Sequence, residues 1–178
     1  MTPAIYKADE LFDFASHLGE IDNIFFESSA KQDFSSGEKK ESFRERSLGR
    51  YIANHRRSFF VVLDESGRVI GYLAGCLKNP TELVHFSDIE YFQTISDICG
   101  DYPAHLHINV APQWRNHGLG AALVERFVVW ARLHSVKGIH LVTSSTSRSI
   151  PFYRRSGFRE LRTFAWNSGI SVCMGRKL

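Results

Sequence analysis

The stretch from Leu106 to Leu123 constrains this chain more than any other. It opens as an apolar run, Leu106 to Val110, with the character of a strand. Pro112 stops that strand, because proline has no N–H for a sheet ladder and holds φ near −65°. Arg115, Gly118 and Gly120 follow, and an amphipathic helix is predicted over 118–134. Strand, glycine-bearing loop and helix in that order make one unit of a layered sheet-and-helix fold. The junction is also an anion site by its physics. The first turn of a helix leaves backbone N–H groups unpaired at the positive end of its dipole. Gly118 can take φ > 0 and let the backbone approach a phosphate. Arg115 and His117 add donors and charge. A plain strand–loop–helix junction with glycines for packing explains the same residues, and this stretch alone leaves both readings open. It is not the dinucleotide-binding fingerprint: one Gly-x-Gly occurs, late in the chain, and no acidic residue ends the next strand about 20 residues on. The P-loop Gly-Lys-Ser/Thr is absent as well.

Around that stretch the chain alternates strand and helix signals. A short strand is expected at Ile5–Tyr6 and a helix over 9–18, where Leu11, Phe12, Phe14, Ala15 and Leu18 recur at helical spacing. Residues 28–37 read as a loop and 38–54 as a helix. Strands at 58–63 and 69–77 flank a hairpin turn at 64–68. Gly71 and Gly75 in the return strand point to a bulge or a close backbone approach. Residues 79–101 carry five acids (Glu82, Asp88, Glu90, Asp97, Asp101) and no Lys or Arg, and read as a helical insertion before a strand at 104–110. A strand at 139–143 and a helix at 147–156 follow, with Pro151 in its first turn and Gly157 as a left-handed cap. Strands at 158–164 and 170–176 close the chain around the turn Asn167-Ser168-Gly169. The order predicts a mixed α/β or α+β sheet in one domain, 1–178, which suits a chain of 178 residues.

Charge and cysteine usage narrow the function classes. The net charge is +3, too mild to argue for nucleic acid. Residues 31–57 hold eight basic and four acidic side chains, a local +4. Cys76, Cys99 and Cys173 are odd in number and far apart, which argues against a disulfide scaffold or a cysteine zinc site. With no signal segment and no long apolar run, the expectation is a cytoplasmic protein that binds neither membrane nor nucleic acid.

The fuller pattern resembles the GNAT superfamily of acetyl-CoA-dependent N-acetyltransferases. The family motif V-x-P-x-x-(Q/R)-x-x-G-x-(G/A) stands here as Val110-Ala111-Pro112-Gln113-Trp114-Arg115-Asn116-His117-Gly118-Leu119-Gly120. A second motif, A-x-x-(F/L)-Y-x-x-x-G-F, is similar to Ser149 through Phe158. The two lie 32 residues apart, from Gly120 to Phe152, and in the family order. Residues 102–108 and the preceding insertion look similar, more finely, to bacterial acetyltransferases related to the acetyltransferase-like domain of O-GlcNAcase.

The resemblance implies a single GNAT-like domain: a mixed, mostly antiparallel sheet of about seven strands flanked by helices. It implies acetyl-CoA as co-substrate and no metal. It puts the pyrophosphate on Arg115, Asn116, His117, Gly118, Leu119 and Gly120, with the helix starting at Ala121. The pantetheine arm falls along the strand backbone at Ile108 and Val110. The family tyrosine, often the acid that protonates the departing CoA thiolate, falls on Tyr153. A phenol of pKa about 10 can return a proton to a thiolate of pKa about 8.5. A core aromatic beside Phe152 and Phe158 is the competing explanation for Tyr153. Two positions depart from the family pattern. Thr146 stands where an Asn often bonds CoA, and Leu141 where some peptide-amine enzymes carry a Glu base. Of the residues themselves, His105, His107 and Asn109 alternate along one strand face, so a histidine there could draw a proton from a substrate ammonium. They could equally be satisfied polar groups under the insertion. The expected acceptor is the primary amine of a small molecule or a protein, attacked directly, with a homodimer as a further option. A non-catalytic acyl-CoA-binding module is the alternative function.

Overall fold

The computed structural model describes residues 3–29, 33–166 and 169–178. Its contacts divide the chain into two compact units, Met1–Gly75 with His107–Phe127 and Cys76–Leu106 with Val128–Leu178. One mixed sheet of seven strands has the order β1-β2-β3-β4-β5-β7-β6. This α/β architecture is the expected fold class.

The first unit opens with β1 (Ala4–Lys7), antiparallel to β2 (Phe59–Leu63), which pairs in turn with β3 (Val69–Cys76). Asp64 forms the hairpin between β2 and β3, its carboxylate accepting from the Ser66 and Arg68 backbone N–H groups at 2.9 and 3.0 Å. The β2–β3 register slips between Val62 and Leu63, so Ile70 of β3 is the extra residue of a bulge beside Gly71. The expected close approach is also present. A Cβ on Gly71 would stand 3.3 Å from the Asn109 carbonyl oxygen and the Val110 side chain, and one on Gly75 would enter the Phe127 ring.

The first helix lies later than its sequence periodicity indicates. The Asp13 carboxylate caps a 3-10 turn at Phe14–His17, and α1 runs over Leu18–Ser28. Phe12, which the 9–18 spacing would bury, is 109% exposed, while Phe14 is buried. The short apolar run Ile24–Phe26 belongs to this helix and supplies part of its buried face. After Ser36, whose hydroxyl caps the Lys39 N–H, the expected second helix runs as α2 (Gly37–Arg44), a π-turn (Glu45–Gly49) and α3 (Arg50–Asn54). The Glu45 side chain folds across Gly49, which is buried.

The 79–101 insertion, in the second unit, is helical but broken. It comprises 3-10 turns at Pro80–Glu82 and Val84–Phe86 and short helices α4 (Glu90–Thr94) and α5 (Ser96–Cys99). The strand β4 is Ala104–Val110 as expected, and its first residues pair in parallel with β5 (Gly138–Ser144) through Ala104–Ile139 and His105–His140. Between them α6 covers Leu119–Leu133. The chain finishes with α7 (Ile150–Arg155) and the antiparallel strands β6 (Arg159–Trp166) and β7 (Gly169–Lys177), β7 pairing with both β5 and β6. Gly157 caps α7 at φ 83, as its position after the helix predicts. Two residues of the expected 167–169 turn lie outside the described residues. Cys76, Cys99 and Cys173 are free and buried.

Because Gly75 admits the Phe127 ring, Gly75→Ala is expected to lower unfolding stability by about 1–3 kcal/mol, the usual cost of overpacking a core. Adding Phe127→Leu should recover part of the loss. Urea unfolding of both variants checks this, and an unchanged midpoint in the single variant would contradict it.

Candidate functional site

The loop after β4 belongs to the first unit and is held at both ends. At its start the Ala111 N–H donates to the Ile70 carbonyl at 2.9 Å, tying it to β3. Pro112 opens a 3-10 turn that ends at Trp114. Asn116 (φ 64) and Gly118 (φ 80) then take left-handed backbone on either side of His117. Residues alternating in this way can turn successive N–H groups into one concavity, an anion-binding nest. The Gly118 carbonyl accepts from the Ala122 N–H at 3.0 Å. The N–H groups of Leu119, Gly120 and Ala121 precede that bond, where a helix has no internal partner to offer. A Cβ on Gly118 would meet nothing within 4 Å, so glycine is needed there for its φ and not for clearance. Arg115 buttresses the loop. Its Nε donates to the Val110 carbonyl at 3.0 Å and its Nη2 to the Ser28 hydroxyl at 3.1 Å. The exposed His117 has its Nδ1 2.8 Å from the Arg115 carbonyl. Ile108 and Val110 are half-buried.

The polar face of β4 in this unit is a small buried network. Asn109 Nδ2 donates to the Tyr72 hydroxyl at 2.8 Å and lies 3.4 Å from His107 Nε2. The His107 ring is edge-on to Phe25 and Tyr72, with centroids 5.9 and 6.0 Å away. Burial pulls its pKa down to about 4, so it is neutral at pH 7. Its Nδ1 is buried with no hydrogen-bond partner among the described residues. Tyr72 is fully buried, and burial pushes its phenol well up.

His105 shares the strand face but has different surroundings. It lies in the second unit, under the insertion, with its ring 5.0 Å from Phe86, 5.1 Å from Phe92 and stacked at 5.6 Å on His140. It is 2% exposed. The structure therefore groups His107 with Asn109, and His105 with the aromatic core beneath the insertion. His140 is 0% exposed, its Nδ1 is 2.5 Å from the Tyr102 carbonyl, and burial pulls its pKa down to about 4.

Tyr153, on α7 in the second unit, is 8% exposed and contacts Phe152 and Phe158 at 5.1 and 6.0 Å. The ring is a core aromatic, and the hydroxyl has a polar partner. Burial pushes the phenol up to about 12, and a hydrogen bond with the Ser149 side chain offsets part of that rise. The Ser149 hydroxyl is 2.7 Å from that of Ser147. Ser147 lines an open cleft of about 430 Å³ with Ser145, Thr146, Ile150, Pro151 and Arg154. Thr146 is exposed, its hydroxyl 3.0 Å from that of Ser144. Leu141 is core, 3% exposed.

The charge of the insertion is partly spent. Arg162 grips Asp97 through two bonds of 2.7 and 2.6 Å, and Lys177 meets Asp101 at 3.5 Å. Periodicity and motif gave no notice of Tyr72, Ser147 or these ion pairs, and the motif opens on Ser149 without giving it a role. Ser149 could have been found from its place four residues before Tyr153, one helical turn away. Tyr72 reaches Asn109 across 37 residues, which no local pattern encodes.

Residues 20–158 match the acetyltransferase (GNAT) family. The fold recurs in solved structures of low identity. SsHAT is 22% identical with a TM-score of 0.78, covering 99% of this chain and 98% of that one. A phosphinothricin acetyltransferase from Sinorhizobium meliloti, solved with AcCoA, is 20% identical with a TM-score of 0.64, covering 100% and 89%. A Drosophila melanogaster polyamine N-acetyltransferase that forms N-acetylagmatine is 16% identical with a TM-score of 0.69, covering 99% and 100%. No helix among the described residues is long and apolar enough to cross a membrane, and no three His, Cys, Asp or Glu side chains among them gather as a metal set.

The buried His140 makes stability depend on pH. Its folded pKa lies below the ordinary 6.5, so the unfolded chain binds the proton more tightly. Stability from this site is full above about pH 6.5 and lost as pH falls towards 4. Between pH 7 and 5 the expected loss is about 2 kcal/mol. Replacing His140 with Asn, which keeps a donor for the Tyr102 carbonyl, should flatten this dependence. Urea unfolding at the two pH values checks it, and an identical slope in the variant would contradict it.

Proposed function

The chain belongs to the acetyltransferase (GNAT) family, and on that premise we propose that it transfers acetyl from acetyl-CoA to a primary amine. The observation that carries this reading is the loop from Arg115 to Gly120, with left-handed backbone at Asn116 and Gly118 just before α6. Its donor set suits a pyrophosphate: unpaired N–H groups at Leu119, Gly120 and Ala121, with His117 exposed beside them. Ile108 and Val110 would pair through their backbone with the pantetheine arm, and the Thr146 hydroxyl would add one hydrogen bond. Bound acetyl-CoA supplies the activated acyl carbon and a thiolate leaving group. No metal is assigned a role.

The protein's own residues would manage protons. An ammonium must lose a proton before it can attack a thioester carbon. His107 is assigned to relay that proton through water, accepting at Nε2, the nitrogen that the Asn109 amide faces; its lowered pKa makes it a weak base that passes the proton on rather than keeping it. A second proton must reach the leaving sulfur as the C–S bond breaks. Tyr153 is assigned to give it, since its raised pKa keeps the hydroxyl protonated throughout the neutral range. Ser149 and Ser147 form a hydroxyl chain through which Tyr153 would be recharged from the cleft. His105, enclosed by Phe86 and Phe92, is assigned no step. The finer kinship with bacterial acetyltransferases related to the O-GlcNAcase domain is retained as part of this proposal, on residues 102–108 and the insertion.

Two variants test the assignment. Gly118→Val forces a β-branched residue to φ 80, which should cost about 1–3 kcal/mol of stability and abolish acetyl-CoA binding in calorimetry. Unchanged affinity would remove the loop from the site. Tyr153→Phe should lower kcat by roughly 10- to 10⁴-fold with little change in acetyl-CoA affinity. Wild-type turnover would leave Tyr153 as packing alone. Acetyl-CoA binding without thiol release for any amine tried would favour the non-catalytic module.

A further inference from the structure

Three side chains on the neighbouring strands β3 and β4 form a line of polar contacts, of which the assigned steps use only the His107 end. Gly71 lets the β4 backbone come close, since a Cβ there would stand 3.3 Å from the Asn109 carbonyl oxygen. The next residue of β3, Tyr72, reaches the Asn109 side chain. Its hydroxyl accepts from Asn109 Nδ2 at 2.8 Å, and the same Nδ2 lies 3.4 Å from His107 Nε2. Tyr72 is 0% exposed, and its ring stacks on Phe59 at 5.6 Å with 13° between the planes, so the hydroxyl is fixed in place. Asn109 and His107 are half-buried.

The orientation of the Asn109 amide decides which nitrogen of His107 carries the ring proton. A neutral imidazole has one N–H and one lone pair. With Nδ2 towards His107, Oδ1 is on the other arm of the planar amide and turned away. A proton on Nε2 would then face the amide hydrogens, donor against donor. The proton therefore sits on Nδ1 and the lone pair on Nε2. The buried Nδ1 has no hydrogen-bond partner among the described residues, so nothing on that side of the ring holds the proton there. Turned over, the amide would offer Oδ1 to an Nε2–H and remove the lone pair that accepts.

A free amide has little to choose between these orientations, because a half-turn exchanges two groups of similar size. The buried phenol supplies the preference. Burial, and then the Asp22 carboxylate acting through space, raise its pKa, while Arg44 offsets part of the rise, so the hydroxyl stays protonated. Negative charge on the Asp22 side draws the O–H bond that way and leaves an oxygen lone pair for Nδ2. Asp22 is itself placed by Arg44 Nε at 2.8 Å. We propose that Tyr72 is a positioning residue: by holding the Asn109 amide with Nδ2 towards His107, it keeps the ring proton on Nδ1 and leaves Nε2 free to accept the relayed proton. This rests on the transferase reading above and adds a residue to it.

The test has two readouts on the full chain. Nitrogen NMR with isotope-labelled histidine at pH 7 reads the tautomer, and the loss of signals in His107→Gln identifies the ring. Thiol release with acetyl-CoA and 2-phenylethylamine, n-hexylamine or spermidine reads turnover. The wild-type ring is expected to carry its proton on Nδ1. Tyr72→Phe keeps the stacked ring and removes the hydroxyl. It should move His107 towards the Nε2–H tautomer and lower kcat about tenfold or more, with the acetyl-CoA KM within about twofold. Asn109→Leu should lower kcat by as much, and adding Tyr72→Phe to it should cost no further turnover, because Tyr72 acts through Asn109. That double variant leaves no amide unpaired, so the comparison decides the question even where Tyr72→Phe alone fails to fold. A wild-type proton on Nε2 overturns the inference. So does Tyr72→Phe with an unmoved tautomer or wild-type kcat, or a double variant slower than Asn109→Leu. An absence of thiol release from every amine in the wild-type protein overturns the transferase reading instead, and the tautomer then still shows whether Tyr72 sets the ring.

Discussion

Two missing side chains on β3 decide how closely the neighbouring backbone and helix can approach. Gly71 lies against the Asn109 carbonyl and Val110, and Gly75 lies under the Phe127 ring of α6. Close-packed interiors have no slack to absorb a methyl group at such points. The contact fixes the last residues of β4 against β3, and the Ile70–Ala111 hydrogen bond carries the same constraint one residue into the loop. The loop's left-handed residues and the start of α6 inherit their placement from this packing. A concavity of N–H groups is useful only if it does not move, since preorganised donors need no rearrangement as the anion arrives.

The same strand sorts its histidines by surroundings. His105 and His107 are two residues apart and point to one face, yet one is walled in by Phe86, Phe92 and His140, and the other by Phe25 and Tyr72. Burial alone would make both inert. What distinguishes His107 is Asn109, whose amide group faces the ring's Nε2. Tyr153 likewise has two environments: its ring contributes to the core while Ser149 keeps its hydroxyl in a polar chain.

Much of this was legible in residue order, and the exceptions have physical causes. β4, α6 and the Gly157 cap stand where periodicity and the glycine positions put them, because strand, helix and left-handed turn are local decisions. The first helix was misplaced by about nine residues. The Asp13 cap and 3-10 turn satisfy the backbone at Phe14–His17, and this local chemistry prevails over an apolar spacing that would bury Phe12. The π-turn at Glu45–Gly49 has no signature in a 3.6-residue count. The insertion read as an acidic surface because its partners, Arg162 and Lys177, lie more than 60 residues on. Long-range ion pairs and aromatic clusters are set by topology, so the strand–loop–helix unit of β4 and α6 could be read from sequence and those contacts could not.

The most direct measurement of the central claim compares acetyl-CoA with S-acetylpantetheine, which keeps the thioester and the arm but lacks the diphosphate and nucleotide. Calorimetry of both against the wild-type protein isolates the loop's contribution. The account predicts that acetyl-CoA binds and that S-acetylpantetheine binds more than about tenfold more weakly, the worth of at least one charge-assisted hydrogen bond. Equal affinities, or no binding of acetyl-CoA, would contradict it.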